Sequence, residues 1–278
     1  MATRTRLRGS SDWADTAYWS GGVLPATNDD VRFVEGIDSL TLSLNQSAVS
    51  LSTLYFDSAY GDGTTVIGTA GAPLQIDVNG SGAKIVKVAA RLRTIYLAGG
   101  SGGTISRIEF FPAAATCELI LSSATVPTLI LQTGTSRTLD SVTLTTVVVE
   151  DGDHTFDGKS GNAPNYECVG GITRIKGDWG TLNISGNAVV YIDVPSGITC
   201  GTITGRGDPS RSQLVWLQGD TGNVVMYSGI LDLGQLKRDC TRGTLDLYSQ
   251  ATVKSERGLA RLTGGTETAF GRGPNRRN

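Results

Sequence analysis

Short strand-like segments at an even spacing constrain the fold of this chain more than any other feature. From about residue 40 onward, runs of alternating apolar and polar residues recur roughly every ten residues, which is the pattern of a half-buried β-strand. Corners rich in Gly, Ser, Asn and Asp separate these runs and supply turns. Since the sequence shows almost no helical periodicity, it predicts an all-β protein built as a sandwich, a barrel or a β-helix. The first runs read LTLSL, VSLSTLYF, TTVI, LQIDV, KIVKV and RTIYL, and the first corners YGDG, GTAGAP and VNGSG.

Three later phrases are near-copies of one another: GTLNIS at 180–185, GILDLG at 229–234 and GTLDLY at 243–248. Self-similarity of this kind is the sequence signature of a solenoid, in which stacked coils bury an apolar column. The phrase resembles the rungs of right-handed parallel β-helices in autotransporter passengers and phage proteins. We therefore predict a right-handed parallel β-helix, with each phrase contributing one strand and its leucine pointing inward, and keep a jelly roll or β-sandwich as the alternative. The three leucines are Leu182, Leu231 and Leu245.

A second motif precedes the strands, at residues 12–33: DWADTAYWSGGVLPATNDDVRF. It resembles the leader of bacterial and phage surface β-solenoids. We expect its two tryptophans to cover the end of the core, because an open solenoid end would be a sticky edge. The opening residues MATRTRLRGSSDW contain no apolar stretch of a secretory signal. A surface-type β-protein without such a signal fits a virus particle assembled in the cytoplasm. The motif is carried by Trp13, Trp19, Ser20, Gly21, Gly22, Pro25, Asp29, Asp30 and Val31.

The sequence predicts a single elongated β-domain over 12–263, with the capping signature at 12–36 and an acidic surface loop at 150–171. A basic arm at 1–11 and a basic tail at 264–278 flank this domain. The first eight and the last eight residues each hold three arginines and no acid, a distribution that suits an acidic protein surface. Ordering such segments costs about 1–2 kcal/mol per residue, which contacts to another chain would offset. We therefore expect an interface formed by Arg4, Arg6, Arg8, Arg272, Arg276 and Arg277.

Composition excludes several kinds of partner and chemistry. A net charge of −2 gives no general case for nucleic acid, and no apolar run approaches the length of a membrane span. The single histidine argues against a histidine-based nucleophilic triad. No two cysteines lie close enough for a metal or redox motif, so we interpret all of them as small buried hydrophobes. They are Cys117, Cys168, Cys200 and Cys240.

One stretch, EDGDHTFDG at 150–158, could carry chemistry. In an extended chain Asp151, Asp153 and Asp157 would share one face, which makes them the one calcium candidate. Glu150 and Asp157 could instead serve as an acid/base pair on a glycan. We favour a polar turn after a buried strand, and so predict no catalytic residue, no metal site and no cofactor.

The function expected from these features is a non-enzymatic structural component of a bacteriophage virion, specifically a decoration or cement protein on the capsid. The expected partners are the major capsid protein or other virion proteins, with a homotrimer as the oligomeric state. The alternatives are a tailspike or fibre that binds or degrades host surface polysaccharide, and a bacterial surface adhesin. A host glycan would be the partner in those cases, and neither a membrane nor nucleic acid is expected.

Overall fold

The structure is a computed structural model that describes residues 1–139, 141–157, 162–255, 259, 261–269 and 275–277. Its contacts divide the chain into two compact units, residues 1–144 and 145–278. About half of the chain is strand, and the parallel coils form a β-solenoid of about 11 turns. The prediction of a right-handed parallel β-helix is confirmed. The described strand ladders are parallel rather than the antiparallel hairpins of a sandwich or jelly roll.

The first unit begins with short strands and two 3-10 turns at Thr16–Tyr18 and Ser20–Gly22. Its strands are β1 (Thr3–Arg6), β2 (Asp30–Phe33), β3 (Asn45–Ser50), β4 (Thr53–Phe56), β5 (Val66–Ile67), β6 (Leu74–Asp77), β7 (Ile85–Val88), β8 (Thr94–Ala98), β9 (Arg107–Phe110), β10 (Glu118–Ser122), β11 (Thr125–Leu131) and β12 (Thr135–Thr138).

The second unit begins within a strand that starts at Thr143. Its strands are β13 (Thr143–Val149), β14 (Asp153–Phe156), β15 (Asn165–Cys168), β16 (Ile172–Ile175), β17 (Thr181–Ile184), β18 (Val189–Asp193), β19 (Thr199–Cys200), β20 (Thr202–Arg206), β21 (Gln213–Gln218), β22 (Asp220–Thr221), β23 (Val224–Asp232), β24 (Cys240–Thr241), β25 (Leu245–Lys254), β26 (Leu262–Thr263), β27 (Glu267–Ala269) and β28 (Asn275–Arg277).

In the first unit one strand of each coil stacks in register on the strand of the next coil. The ladder runs β1, β2, β4, β7, β9 and β11. Within it Phe33 lies opposite Phe56, Phe56 opposite Val88 and Val88 opposite Phe110. Since alternate residues of a strand point to opposite faces, these side chains form one continuous apolar column, and all are fully buried.

The second unit repeats this arrangement with two long columns. One runs through Leu182, Ile203, Val224 and Leu245. Leu231 belongs to the other column, where it lies between Leu214 and Val253. All three leucines of the near-copied phrases are fully buried, as predicted, but only the first and the third share a column.

The N-terminal end of the apolar column is closed by the aromatic residues of the leader motif. Trp13 and Trp19 are buried, with ring centroids 5.0 Å apart. Trp19 packs edge-on against Phe33 at 5.9 Å, and Phe33 stacks on Phe56 at 4.6 Å. The Trp19 indole N–H donates to the carbonyl of Trp13 over 2.8 Å. The expectation that the two tryptophans cover the end of the core is confirmed.

Two segment predictions differ from the structure. Residues 1–11 are not a detached arm, because β1 pairs in register with β2 and so forms the first strand of the solenoid. Residues 150–171 are not one long loop, because they contain β14 and β15, which pair with β16 and with β13 and β17. In both segments outward-facing polar residues alternate with inward-facing residues. The sequence of such a strand is hydrophilic enough to resemble a loop.

The four cysteines are free and buried, as predicted. Burial raises the pKa of the Cys117 and Cys200 thiols to about 12 in each case. A thiol with so high a pKa carries little thiolate and is a poor nucleophile or metal ligand.

Tight corners require glycine where coils approach closely. Gly61 has a φ of +86°, and a β-carbon there would lie about 2.5 Å from the carbonyl oxygen of Arg91 on the next coil. Only a residue without a side chain fits both conditions.

We expect Trp19→Ala to lower the free energy of unfolding by about 3–5 kcal/mol, the usual cost of truncating a buried tryptophan. The substitution opens the end of the column and removes the hydrogen bond to Trp13. Urea denaturation measures the change. Val23→Ala is the control, because that side chain is 48% exposed in the same segment and its truncation should change stability by no more than about 0.5 kcal/mol. Equal effects of the two substitutions would contradict the capping role.

Candidate functional site

The acidic segment that could carry chemistry forms strand β14 and the residues around it. His154 and Phe156 point inward and are fully buried, while Asp153 and Thr155 lie on the outer face. The extended conformation of β14 therefore turns Asp153 to the outer face of the solenoid, as the calcium hypothesis requires. Residues 158–161 lie outside the described residues.

Those outer carboxylates face cations of the following coil. Asp153 contacts the guanidinium of Arg174, and Asp157 accepts from the Lys176 ammonium over 2.8 Å. Asp151 accepts from the amide of Gly152 over 2.8 Å. A hard cation would have to displace the paired basic groups. Among the described residues no three acidic, histidine or cysteine side chains lie close enough to hold a metal ion.

The same geometry bears on the acid/base pair. Glu150 is exposed, whereas Asp157 is half-buried and paired with Lys176. Glycan hydrolysis needs two carboxyl groups held across a scissile bond, one of them as a protonated acid. The Asp157 carboxylate already accepts from the Lys176 ammonium over 2.8 Å, so a substrate would have to displace that contact.

His154 lies in the core column, in register with Thr173. Its Nε2–H donates to the carbonyl of Asp151 over 2.6 Å, because a carbonyl can only accept. Burial lowers the pKa of His154, and this outweighs the opposing influence of that hydrogen bond and of Asp153 and Asp151. The chain's only histidine is therefore a neutral, buried, structural group.

Coil-to-coil ion pairs continue along the second unit. Both carboxylate oxygens of Asp193 accept from Lys237 over 2.7 Å. Asp220 receives two hydrogen bonds from Arg238, at 3.3 and 3.1 Å. Each pair joins residues from different coils. Charged groups on this surface thus fix the register of the stack.

The arginines of the predicted N-terminal interface are held within the chain. Arg6 is 3% exposed and occupies the register of Phe33 at the end of the apolar column. Its guanidinium lies 5.0 Å from the Trp19 ring and donates to the carbonyls of Ser10 and Asp12 over 3.0 and 2.8 Å. Arg6 therefore caps the column and cannot reach a partner in this fold, so its assignment to an interface is wrong.

Arg4 and Arg8 also have partners. Asp29 of the leader motif accepts from the Arg4 guanidinium over 3.2 Å and from the amides of Ala2 and Ala26 over 2.8 and 3.2 Å. Arg8 pairs with Glu35, and both side chains are about two-thirds exposed. Of these arginines Arg8 is the most exposed, at 67% of its side chain, whereas the Arg4 side chain is 23% exposed.

The predicted interface also includes three arginines near the C-terminus, Arg272, Arg276 and Arg277. Arg272 lies outside the described residues. Arg276 and Arg277 lie in β28, whose backbone pairs with Val253 and Lys254 of β25. Their part in an interface stays a prediction.

Sequence reasoning missed the structural role of Arg6 and the anchoring role of Asp29. An arginine in the inward register breaks the apolar pattern by which core strands are found. The available signal was the alternation Thr-Arg-Thr-Arg at residues 3–6, which has the period of a strand and a β-favouring residue at every second position.

A polar groove and an aromatic ladder lie on the outer face of the second unit. The groove has a volume of about 320 Å³ and is lined by side chains that include Glu167, Asn183 and Arg206. Arg206 lies 4.5 Å from the ring of Tyr227, which stacks on Tyr248 at 4.5 Å. This surface offers hydrogen-bonding groups beside aromatic rings.

The stability of the protein should depend on pH through His154. Its folded-state pKa lies below the unfolded value of about 6.5, so the unfolded state binds more protons at lower pH. Stability is therefore fully present above about pH 6.5 and falls as pH decreases toward the folded-state pKa. We expect denaturation midpoints measured between about pH 7 and pH 5 to show this decrease. His154→Gln keeps a donor but cannot titrate, and an unchanged pH dependence in that variant would contradict the assignment.

Asp29→Ala should loosen the first strand. It removes the acceptor of three hydrogen bonds, and a buried network of this kind is expected to contribute about 1–3 kcal/mol. Amide hydrogen exchange at residues 3–6 should accelerate, together with a lower denaturation midpoint. Glu35→Ala is the control, because its ion pair with Arg8 is exposed and exposed pairs add little. Protection of β1 that persists in Asp29→Ala would show that the backbone ladder alone holds the strand.

None of the helical segments in the described residues has the length and apolar character of a membrane-spanning helix. Comparison with known proteins finds no family model, no curated protein and no solved structure that matches this chain. Any inference about its function therefore depends on the geometry and chemistry of its own residues.

Proposed function

We propose that this protein is a non-enzymatic structural component of a bacteriophage virion that decorates the capsid and stabilises it. The observation that carries the proposal is that the reactive side chains of this protein are buried in the core or paired with other side chains of the same chain. His154 is buried, the thiols are buried, and the acidic segment around β14 is paired with Arg174 and Lys176. A surface organised in this way serves adhesion and rigidity better than bond cleavage.

The construction of the ends supports the same role. Trp13, Trp19 and Arg6 close the column, so the first coil does not present an open apolar edge. A solenoid with a closed end resists uncontrolled end-to-end association. That property suits a protein which must bind a particle surface as a defined unit. The proposed partners are the major capsid protein or another virion protein, and the homotrimer is proposed only from the resemblance to phage surface solenoids.

A tailspike or fibre that binds host polysaccharide is the second candidate. The observation in its favour is the groove beside Arg206, Tyr227 and Tyr248, because aromatic rings next to hydrogen-bonding groups suit sugars. This candidate needs no catalytic pair, since it can bind glycan without cleaving it.

Immunogold labelling of purified particles with an antibody against this chain separates the candidates. We expect gold on the head, with loss of head label and earlier heat release of the genome in particles that lack the protein. Label confined to the tail would favour the tailspike, and particles without label would overturn both virion roles. As a check on chemistry, purified protein should release no oligosaccharide from host polysaccharide. Release that Glu150→Gln or Asp157→Asn abolishes would establish an enzyme.

A further inference from the structure

The groove on the outer face of the second unit is small and is built from successive coils. Its volume of about 320 Å³ lies at the lower end of the range of about 300–1,000 Å³ that small-molecule sites occupy. Glu167, Asn183 and Thr204 lie in register on three coils and form one outer row along it. Arg206 at the end of β20 and Ser185 also line the groove. A cavity of this size fits a small ligand rather than a folded partner.

Glu167 and Arg206, an acid and a base, line this groove without pairing with each other. Elsewhere on the second unit such groups meet across coils, as Asp193 and Lys237 do at 2.7 Å. Among the described residues the Glu167 side chain makes no ion pair and no hydrogen bond. The guanidinium of Arg206 lies over the ring of Tyr227, 4.5 Å from its centroid, and has no acid within that part of the chain. The groove therefore holds one group that only accepts hydrogen bonds and one that only donates them.

Asn183 occupies the middle of the row without a contact that serves the fold. Asparagine is depleted in strands, and where this unit uses it structurally it holds the backbone, since the Asn165 side chain accepts from the amide of Thr181 over 3.1 Å. The Asn183 side chain makes no hydrogen bond to any described residue, and the same is true of the hydroxyls of Ser185 and Thr204. Three neutral polar groups are thus added to the acid and the base of the groove.

We propose that this groove binds a neutral saccharide. The assignment rests on the second candidate function, glycan binding, and names the class of ligand for that site. Each hydroxyl of a sugar both donates and accepts, so adjacent hydroxyls can donate to Glu167 and accept from Asn183 and Arg206. Neighbouring strands are about 4.8 Å apart, so the row from Glu167 to Thr204 spans about 10 Å along the solenoid. That length gives room for a short oligosaccharide that lies across the three coils.

The two charges of the lining select against a charged ligand. An acidic saccharide would bring its negative charge close to Glu167, and a cationic ligand would bring its charge close to Arg206, and both contacts are repulsive. A zwitterion would satisfy the two charges, but its ammonium and carboxylate alone would leave Asn183 and the hydroxyls of Ser185 and Thr204 without partners. A neutral ligand with many hydroxyls meets every polar group of the lining without repulsion.

Binding of the fluorescein-labelled protein to an oligosaccharide array tests the proposal. The neutral probes are oligomers of glucose, mannose and galactose, and the acidic probes are oligogalacturonate and sialyllactose. We expect a neutral probe to bind, and titration calorimetry with that probe gives its affinity. Asn183→Ala should weaken binding about tenfold, which corresponds to about 1.4 kcal/mol. Glu167→Gln should weaken the neutral probe as well, because it replaces a charged acceptor with a weaker neutral one, whereas it would strengthen the binding of an acidic probe.

Asp246→Asn is the matched control, because Asp246 lies on the same outer row two coils beyond Thr204 but does not line the groove. This variant should bind like the wild type, and unchanged circular dichroism and denaturation midpoints should show that all variants are folded. Neutral-probe binding that is equal in the wild type, Asn183→Ala and Glu167→Gln would overturn the assignment to this groove.

The remaining outcomes separate this proposal from the functions on which it bears. Binding of acidic probes alone, strengthened in Glu167→Gln, would overturn the neutral ligand class and leave glycan binding in place. Absence of binding to every probe would overturn the proposal and remove the observation in favour of the tailspike. The capsid role would be unaffected in both cases, because immunogold labelling tests it independently.

Discussion

Stacking in register is the constraint on which the rest of this structure depends. A single coil has only a few inward side chains and cannot bury them alone, so each coil is stable only against its neighbours. Phe56, for example, is buried because Phe33 lies on one side of it and Val88 on the other. Slipping the register by one residue would turn every inward side chain outward, so the whole column acts against a slip at any one coil.

Charges on the outside reinforce the same register. Asp193 and Lys237, and likewise Asp220 and Arg238, connect coils through contacts that exist only in the correct alignment. Exposed ion pairs contribute little stability individually, yet a slipped register would set like charges or empty positions opposite one another. Their main effect is therefore to raise the free energy of a slipped register, and they stabilise the native register only a little. The acidic segment around β14 follows the same rule, because its carboxylates pair with Arg174 and Lys176 of the next coil.

The sequence allows the repeated part of this fold to be predicted and leaves its exceptions hidden. Leu182 and Leu245 are recognisable because apolar alternation and glycine corners are local signals. Arg6 is not, since its burial depends on Trp19 and on carbonyls that only the folded cap brings together. For the same reason the sequence gives no sign that Asp153 is paired, because its partner Arg174 lies 21 residues later. The apolar and polar pattern identifies which face of the strand a residue occupies. The residue opposite it on the next coil depends on the number of residues in that coil, and this number varies along the chain.

This difference bears on how function can be inferred on such a scaffold. Where coils are locked by opposite charges, a charged residue is the expected structural element and says little about ligands. An unpaired cation is not by itself informative either, since the side chains of Arg32 and Arg93 both lack an ion pair among the described residues. A ligand site on this scaffold therefore needs a cavity together with the side chains that line it, as in the groove beside Arg206 and Tyr227.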